Sequence, residues 1–259
     1  GIVLVEAHRG NSRFAPENTV ASINAAAGVA DLTEFDVRVS SDGKLVLMHD
    51  SSVNRTTNGS GNVSSMTLAQ LQALDAGSWK SASFVGEQVP TLTEAMDAAI
   101  AANIEPLVER KAGSAAAYHA EFVAEGFNPA DFRVISFDSN FLRDLNALDS
   151  AYQLGYLGSG TITQTLIDSL LAKGIDFLDW GHGSINQAAV DLVYANGMEL
   201  HAWTVNSEAR MQQLIDFGID GITTDDPALL RTLVPVPEPA TMSLLALGGL
   251  SLLRRRRAA

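Results

Sequence analysis

Short apolar runs alternate with longer amphipathic stretches through most of the chain. From about Phe132 onward one phrase repeats: a β-rich run, a polar turn, an amphipathic stretch, then a glycine or polar turn before the next run. A hydrophobic period that switches between 2 and 3.6 residues is the signature of βα units. Strands are predicted over residues 2–7, 32–37, 104–109, 133–137, 152–157, 176–180, 199–204 and 221–224. Their number matches the eight strands of a closed parallel barrel, so the predicted fold is an α/β protein of the (β/α)8 or TIM-barrel kind; an open doubly wound sheet is the alternative.

Helix boundaries are legible as well. Thr91-Leu-Thr-Glu94 and Thr67-Leu-Ala-Gln70 read as capping boxes. Lys173-Gly174, Asn196-Gly197 and Phe217-Gly218 place glycine where a helix ends in a left-handed residue. One apolar run, residues 45–49, breaks the alternation. It follows the second strand after only Ser40-Ser-Asp-Gly-Lys44, too short for a parallel crossover. It is therefore read as the return arm of a hairpin turning at Asp42-Gly43, an arrangement expected to bring His49 opposite Glu34. Residues 51–89 then become rich in Ser, Thr, Asn and Gly. They form a small inserted subdomain, expected to cap the pocket on the catalytic face.

Composition narrows the chemistry. With 259 residues, 46% of them apolar and only 18% charged, the chain can bury a large core and is not disordered. The absence of cysteine removes disulfides, thiolate nucleophiles and thiolate metal sites. A net charge of −13, reached despite four arginines at 254–257, disfavours nonspecific nucleic-acid binding. An anionic small substrate remains compatible if a cation and an arginine neutralise it locally. The chain starts at Gly1 and enters a strand at once, so an initiator methionine, alone or with a leader, is expected to have been removed or omitted.

Four clusters fall at the C-terminal ends of predicted strands, where a barrel keeps its catalytic residues: His8-Arg9-Gly10, Glu34-Phe-Asp36, His49-Asp50 and Glu109-Arg-Lys111. Glu34 and Asp36 share one face of their strand. With Glu109 from the next strand they form an oxygen cage suited to a divalent metal, Mg²⁺ or Ca²⁺. His8 and His49 are the candidate proton carriers. Arg9 and Lys111 are placed to hold nonbridging phosphate oxygens. The plain alternative is that carboxylates and basic residues at strand ends neutralise one another. His182 is a candidate pocket residue and Trp203 a candidate wall for the substrate, while His119 and His201 read as a surface and a packing histidine.

Ala7-His-Arg-Gly10, Ala15-Pro-Glu-Asn-Thr19, Glu34-Phe-Asp-Val37 and Met48-His-Asp50 together resemble the N-terminal signature of the glycerophosphodiester phosphodiesterases. The likeness continues through Leu74-Asp-Ala-Gly-Ser-Trp79, Pro90-Thr-Leu92, Ser136-Phe-Asp138, Trp203-Thr-Val-Asn206 and Thr224-Asp-Asp-Pro227. It spans residues 1–233. The resemblance implies a barrel that hydrolyses glycerophosphodiesters to glycerol 3-phosphate and an alcohol. It also implies Glu34, Asp36 and Glu109 as metal ligands, His8 and His49 as acid and base, and Arg9 and Lys111 as phosphate contacts. Arg110 and the segment Asp179-Trp-Gly-His-Gly183 depart from the usual pattern. Two other classes compete: a related lipid phosphodiesterase of the sphingomyelinase D or phosphoinositide type, and a noncatalytic surface-binding barrel. The polar insert argues against the first and the complete set of two histidines and three carboxylates against the second.

The last residues, 234–259, hold a Pro237-Glu-Pro239 box, an apolar run and the arginines, and are similar to PEP-CTERM sorting signals. The apolar run is shorter than a stable membrane span. The tail is therefore expected to be recognised by a membrane sorting protease and removed from a protein exported to the periplasm or cell surface of a bacterium. Oligomeric state cannot be read from the sequence.

Overall fold

The computed structural model describes residues 2–234. Gly1 and residues 235–259, and with them the expected sorting tail, lie outside the described residues.

Nine strands are present among these residues: β1 (Leu4–Ala7), β2 (Leu32–Val39), β3 (Leu45–Leu47), β4 (Glu105–Arg110), β5 (Arg133–Ser136), β6 (Gln153–Gly158), β7 (Phe177–Gly181), β8 (Glu199–Trp203) and β9 (Gly221–Thr224). Eight of them are parallel neighbours in the order β1-β2-β4-β5-β6-β7-β8-β9, and β9 closes on β1 through four registered pairs. The predicted TIM barrel is therefore closed. Its outer layer comprises α1 (Val20–Asn24), α3 (Leu92–Ala101), α4 (Ala115–Glu125), α5 (Ser139–Leu148), α6 (Gln164–Leu171), α7 (Gln187–Ala195), α8 (Glu208–Phe217) and α9 (Pro227–Leu233); α2 (Leu68–Gln72) belongs to the insert. None of the described helices is long and apolar enough to cross a membrane.

The local signals act where the sequence puts them. Thr91 accepts from the Glu94 amide at 3.1 Å while the Glu94 carboxylate accepts from the Thr91 amide at 2.8 Å, a complete capping box at the start of α3. Gly174, Gly197 and Gly218 all take positive φ beyond helix ends. Val5, Val108, Val134, Leu154 and Leu178 point outward and pack against buried helix residues such as Met96, Phe122, Leu142 and Val193. Leu32, Leu107, Ile135, Leu157 and Phe177 point inward and fill the barrel.

β3 is antiparallel to β2 and lies outside the barrel, as a hairpin requires. Its register corrects one expectation: His49 does not stand opposite Glu34. Ser40 and Lys44 bracket the turn, with the Ser40 amide donating to the Lys44 carbonyl at 2.9 Å. A turn centred on Asp42 pairs Val37 with Leu47, and the ladder ends there. His49 is held instead by Arg38, whose guanidinium donates to the His49 carbonyl at 2.9 and 2.6 Å.

The segment 51–89 carries α2 and two 3-10 turns, Val63–Ser65 and Ala82–Phe84. It builds its own small core from Val53, Val63, Leu71, Ala76 and Val89 against Val46 and Met48 of the hairpin arm. The insert is thus anchored to the strand that delivers His49.

Candidate active site

The backbone of the first loop is bent to make the site. Arg9 adopts φ +56°, a left-handed conformation uncommon for a side-chain-bearing residue. Its amide donates to Glu34 Oε2 at 2.8 Å, and its carbonyl accepts from the Ser22 hydroxyl at 2.9 Å and the Asn18 amide at 3.1 Å. Gly10 follows at φ +76°, where a Cβ would run into the backbone of Ser22. Only glycine permits that approach, which explains the triplet His8-Arg9-Gly10 physically.

A cavity of about 150 Å³ opens at the C-terminal mouth of the barrel, lined by His8, Arg9, Glu34, His49, Glu109, Lys111, Ile135, Phe137, Leu157, Asp179, Trp203, Thr204 and Thr223. Seven of the nine candidate residues meet there. Asp36 lies just behind them, 1% exposed, with Oδ1 3.4 Å from Lys111 Nζ and Oδ2 accepting from Asn18 at 2.8 Å and facing Arg9 Nε at 3.1 Å. His182 is set apart in a shallow cleft with Ser159, Gly160 and Trp203. Of the insert expected to cap the pocket, Trp79 and Lys80 reach the mouth. They line a side cleft with His8 and Arg9, and Lys80 Nζ donates to the Ser12 carbonyl at 2.6 Å.

Glu34, Asp36 and Glu109 each contribute one oxygen to a group lying within 4.8 Å of one another. Glu34 Oε1 and Asp36 Oδ1 are buried with no hydrogen-bond partner. Burial, reinforced by the neighbouring carboxylates, pushes the Glu34 carboxyl well above its usual range and raises Glu109 to about 7. Burial also works against ionised Asp36, but Arg9 and Lys111 hold it below its ordinary value. Three crowded carboxylates, two of them with an unsatisfied buried oxygen, fit a hard divalent cation, which takes oxygen ligands and offsets their repulsion.

Each histidine of the pocket carries a carboxylate on Nδ1. His8 meets Asp225 at 2.6 Å and His49 meets Asp50 at 2.7 Å. A carboxylate there fixes the proton on Nδ1 and leaves Nε2 as the ring nitrogen free for chemistry. The partners differ. Arg55 neutralises Asp50 through bonds of 2.8 and 3.1 Å and grips Glu17 through two more of 2.8 Å. The hydrogen bonds from Arg55 hold Asp50 well below the usual carboxylate range, and burial lowers His49. Asp225 instead receives the neutral donors Ser12 at 3.2 Å and Asn206 at 2.6 Å; burial is outweighed by its bond to His8, and it falls to about 2.

Asp225, Asp50, Arg55 and Glu17 were given no role from the sequence, although Asp50 lies in a strand-end cluster and Glu17 and Asp225 within the motifs that carry the resemblance. Asp225 follows the last strand, so the strand-end rule that found His8 would have found it. Arg55 belongs to Arg55-Thr-Thr57, a motif similar to the family's, but its partners are set by tertiary folding, which brings the insert to Asp50. The two departures from the family pattern also become intelligible. Arg110 faces out of the barrel, donating to the Gly113 carbonyl at 3.0 Å and covering the Phe141 ring at 5.0 Å. Asp179 faces in and lines the cavity.

His201 lies inside a strand as expected, but its role is electrostatic. It is fully buried and bonded to Glu6, with Glu199 at 3.2 Å from its other nitrogen. The lack of a side chain at Gly221 makes room for the pair. His119 is half-buried on α4, bonded to the Tyr152 hydroxyl at 2.9 Å.

A closed parallel barrel with paired imidazoles, an acidic cluster and basic side chains in its C-terminal mouth defines a TIM-barrel enzyme. Residues 8–229 match the model of the glycerophosphoryl diester phosphodiesterase family. The chain belongs to that family. It is 35% identical over 245 residues to a glycerophosphodiester phosphodiesterase of Caldanaerobacter subterraneus subsp. tengcongensis, covering 89% of this chain and 97% of that one. A Bacillus subtilis glycerophosphodiester phosphodiesterase is 32% identical over 256 residues, covering 88% and 85%. Among solved structures, an Oleispira antarctica phosphodiesterase in complex with the product sn-glycerol-3-phosphate superposes with a TM-score of 0.83 at 30% identity, covering 90% of this chain and 97% of that one. Residues 235–257 match the PEP-CTERM protein-sorting motif.

Proposed function

We propose that the protein hydrolyses glycerophosphodiesters to glycerol 3-phosphate and an alcohol, with His8 and His49 as proton carriers and a divalent cation as cofactor. The observation that carries this reading is the placement of both imidazoles, each with Nδ1 tied to a carboxylate, on the cavity that also holds Glu34, Glu109 and Lys111. Family membership and the product named in the Oleispira antarctica structure support the substrate class.

Glu34, Asp36 and Glu109 would hold the cation, Mg²⁺ or Ca²⁺, which when bound supplies Lewis-acid polarisation of the phosphoryl oxygens. Arg9 and Lys111 hold the nonbridging oxygens, Arg9 as a planar fork and Lys111 as a point charge. His49 takes the proton of the attacking oxygen, either water or the neighbouring glycerol hydroxyl. In the second case a cyclic phosphate forms first. Its lowered affinity for a proton suits it to the base. His8 faces the uncompensated charge of Asp225 and is the acid, giving its proton to the departing alkoxide as the phosphorus–oxygen bond breaks. The two rings then exchange protonation states.

Turnover of glycerophosphocholine before and after chelation tests the reading. Activity is expected to vanish with chelator and to return with Mg²⁺ or Ca²⁺. Full turnover by the chelated protein removes the cation, and cleavage of intact lipid in preference to glycerophosphodiesters favours the lipid phosphodiesterase class instead.

The sorting motif supports export, with the tail as the signal read by a membrane sorting protease. Mass spectrometry of the protein from its own host is expected to find a C terminus at or before Pro239; recovery of chains ending at Ala259 would show that no processing occurs.

A further inference from the structure

The cavity has a second end. Asp179 sits on the inward face of β7, and in the closed strand order β7 stands across the barrel from β2, which carries Glu34 and Asp36. Asp179 is 1% exposed. Its backbone carbonyl accepts from Trp203 Nε1 at 2.9 Å, but its carboxyl Oδ1, sealed from solvent, has no partner. Glu6, another carboxyl buried inside the barrel, shows the usual arrangement, with His201 on one oxygen and the Thr223 hydroxyl at 2.6 Å on the other. A buried carboxyl oxygen without a partner costs folding free energy, so its presence on a cavity wall points to a ligand that satisfies it.

The walls at this end say what kind of ligand. Phe137 and Trp203 meet edge to face, with ring centroids 5.7 Å apart at 82°, and Leu157 lines the floor at 3% exposure. The whole cavity holds only about 150 Å³, and this end is walled by apolar side chains around one carboxyl. A short carbon chain bearing hydroxyls fits it: carbons against the rings and Leu157, hydroxyls on Asp179. A bulky or variable alcohol does not, and for that part of a diester the shallow side clefts around Trp79 and His182 are open.

We infer that Asp179 is the specificity-determining residue for the glycerol end of the substrate, binding its free hydroxyls while Arg9 and Lys111 hold the phosphate, and so fixing which side of the diester departs. The inference rests on the phosphodiesterase reading and adds an orientation to it. A site built to bond hydroxyls rejects an analogue that lacks them more strongly than an apolar pocket does.

Calorimetric titration with sn-glycerol 3-phosphate and with ethyl phosphate, which keeps the phosphate and lacks the hydroxyls, tests it in Mg²⁺-loaded protein and again after chelation. The wild type is expected to prefer glycerol 3-phosphate by about tenfold or more. Asp179→Ala is expected to erase that preference and Asp179→Asn to keep part of it. In kinetics, Asp179→Ala should raise KM for glycerophosphocholine about tenfold more than for bis(4-nitrophenyl) phosphate. Loss of an unsatisfied buried carboxyl should leave Tm unchanged or higher, which separates lost recognition from lost folding. A wild type that does not discriminate the two phosphates, or an Asp179→Ala variant that still does, overturns the inference. Selective binding through Asp179 by a protein that hydrolyses no glycerophosphodiester would uphold the glycerol contact but refute the proposed reaction and, with it, the assignment of the departing side.

Discussion

At the scale of single residues, two chemically identical imidazoles in one pocket have different surroundings. Asp50 is spent on Arg55, whereas Asp225 meets only neutral donors apart from His8. Alanine at either histidine is expected to lower turnover of glycerophosphocholine by roughly 10²-fold or more, the usual cost of losing a general acid or base. A nitrophenyl phosphodiester has a leaving group that needs no proton. It should restore much of the rate to His8→Ala and little to His49→Ala. The opposite pattern would exchange the two roles, and near wild-type rates in both variants would refute the two-histidine mechanism.

At the scale of elements, the insert is tied to the site's charged residues through Arg55. Arg55 reaches from the segment after β3 to Asp50 on one side and Glu17 of the β1–α1 loop on the other, and Arg9 joins the same Glu17 at 2.8 Å. Removing the cation leaves Asp50 facing His49 uncompensated, which favours the imidazolium. His49 must be neutral to accept a proton, so Arg55→Ala is expected to move the acid limb of the kcat/KM profile to higher pH. A profile that only drops in height, with its limb unmoved, would show that Arg55 is structural and does not tune His49. The hairpin carries a related lesson. That residues 45–49 fold back was legible from the short connection, but which residue faces which was set by the Ser40–Lys44 closure. A shift of one residue in such a ladder reverses every side chain.

At the scale of the whole molecule, the barrel interior contains a buried ion pair, Glu6 with His201, bonded to Thr223 of the cavity wall. Burial alone would keep His201 neutral, but Glu6 and Glu199 raise it to about 10 from an ordinary 6.5. Because the folded-state value is the higher one, this contribution to stability is complete below about pH 6.5 and is lost as pH climbs toward 10. Denaturation midpoints should therefore decline across that window. Glu6→Gln is expected to cost roughly 3–5 kcal/mol near neutrality, as breaking one side of a buried pair does, and to flatten the decline. A wild-type midpoint that stays constant from pH 6 to 10 would show that the pair does not titrate in this range.

The sequence by itself determined the elements and their periodicity, the capping boxes, the turn at Gly43 and the candidates at the first strand ends, because these depend on neighbours within a few residues. It did not determine what the closed barrel brings together across long separations. His8 and Asp225 are 217 residues apart, as are Glu6 and Thr223. Arg55 finds Glu17 across 38. Nor does local pattern distinguish Asp179, with a carboxyl oxygen buried unpartnered on a cavity wall, from Asp176 three residues earlier, whose carboxylate accepts from the Leu154 amide at 2.8 Å. Strand alternation assigns each a face, but only closure of the eight strands decides which carboxylates crowd together, which meet an imidazole and which line the cavity wall.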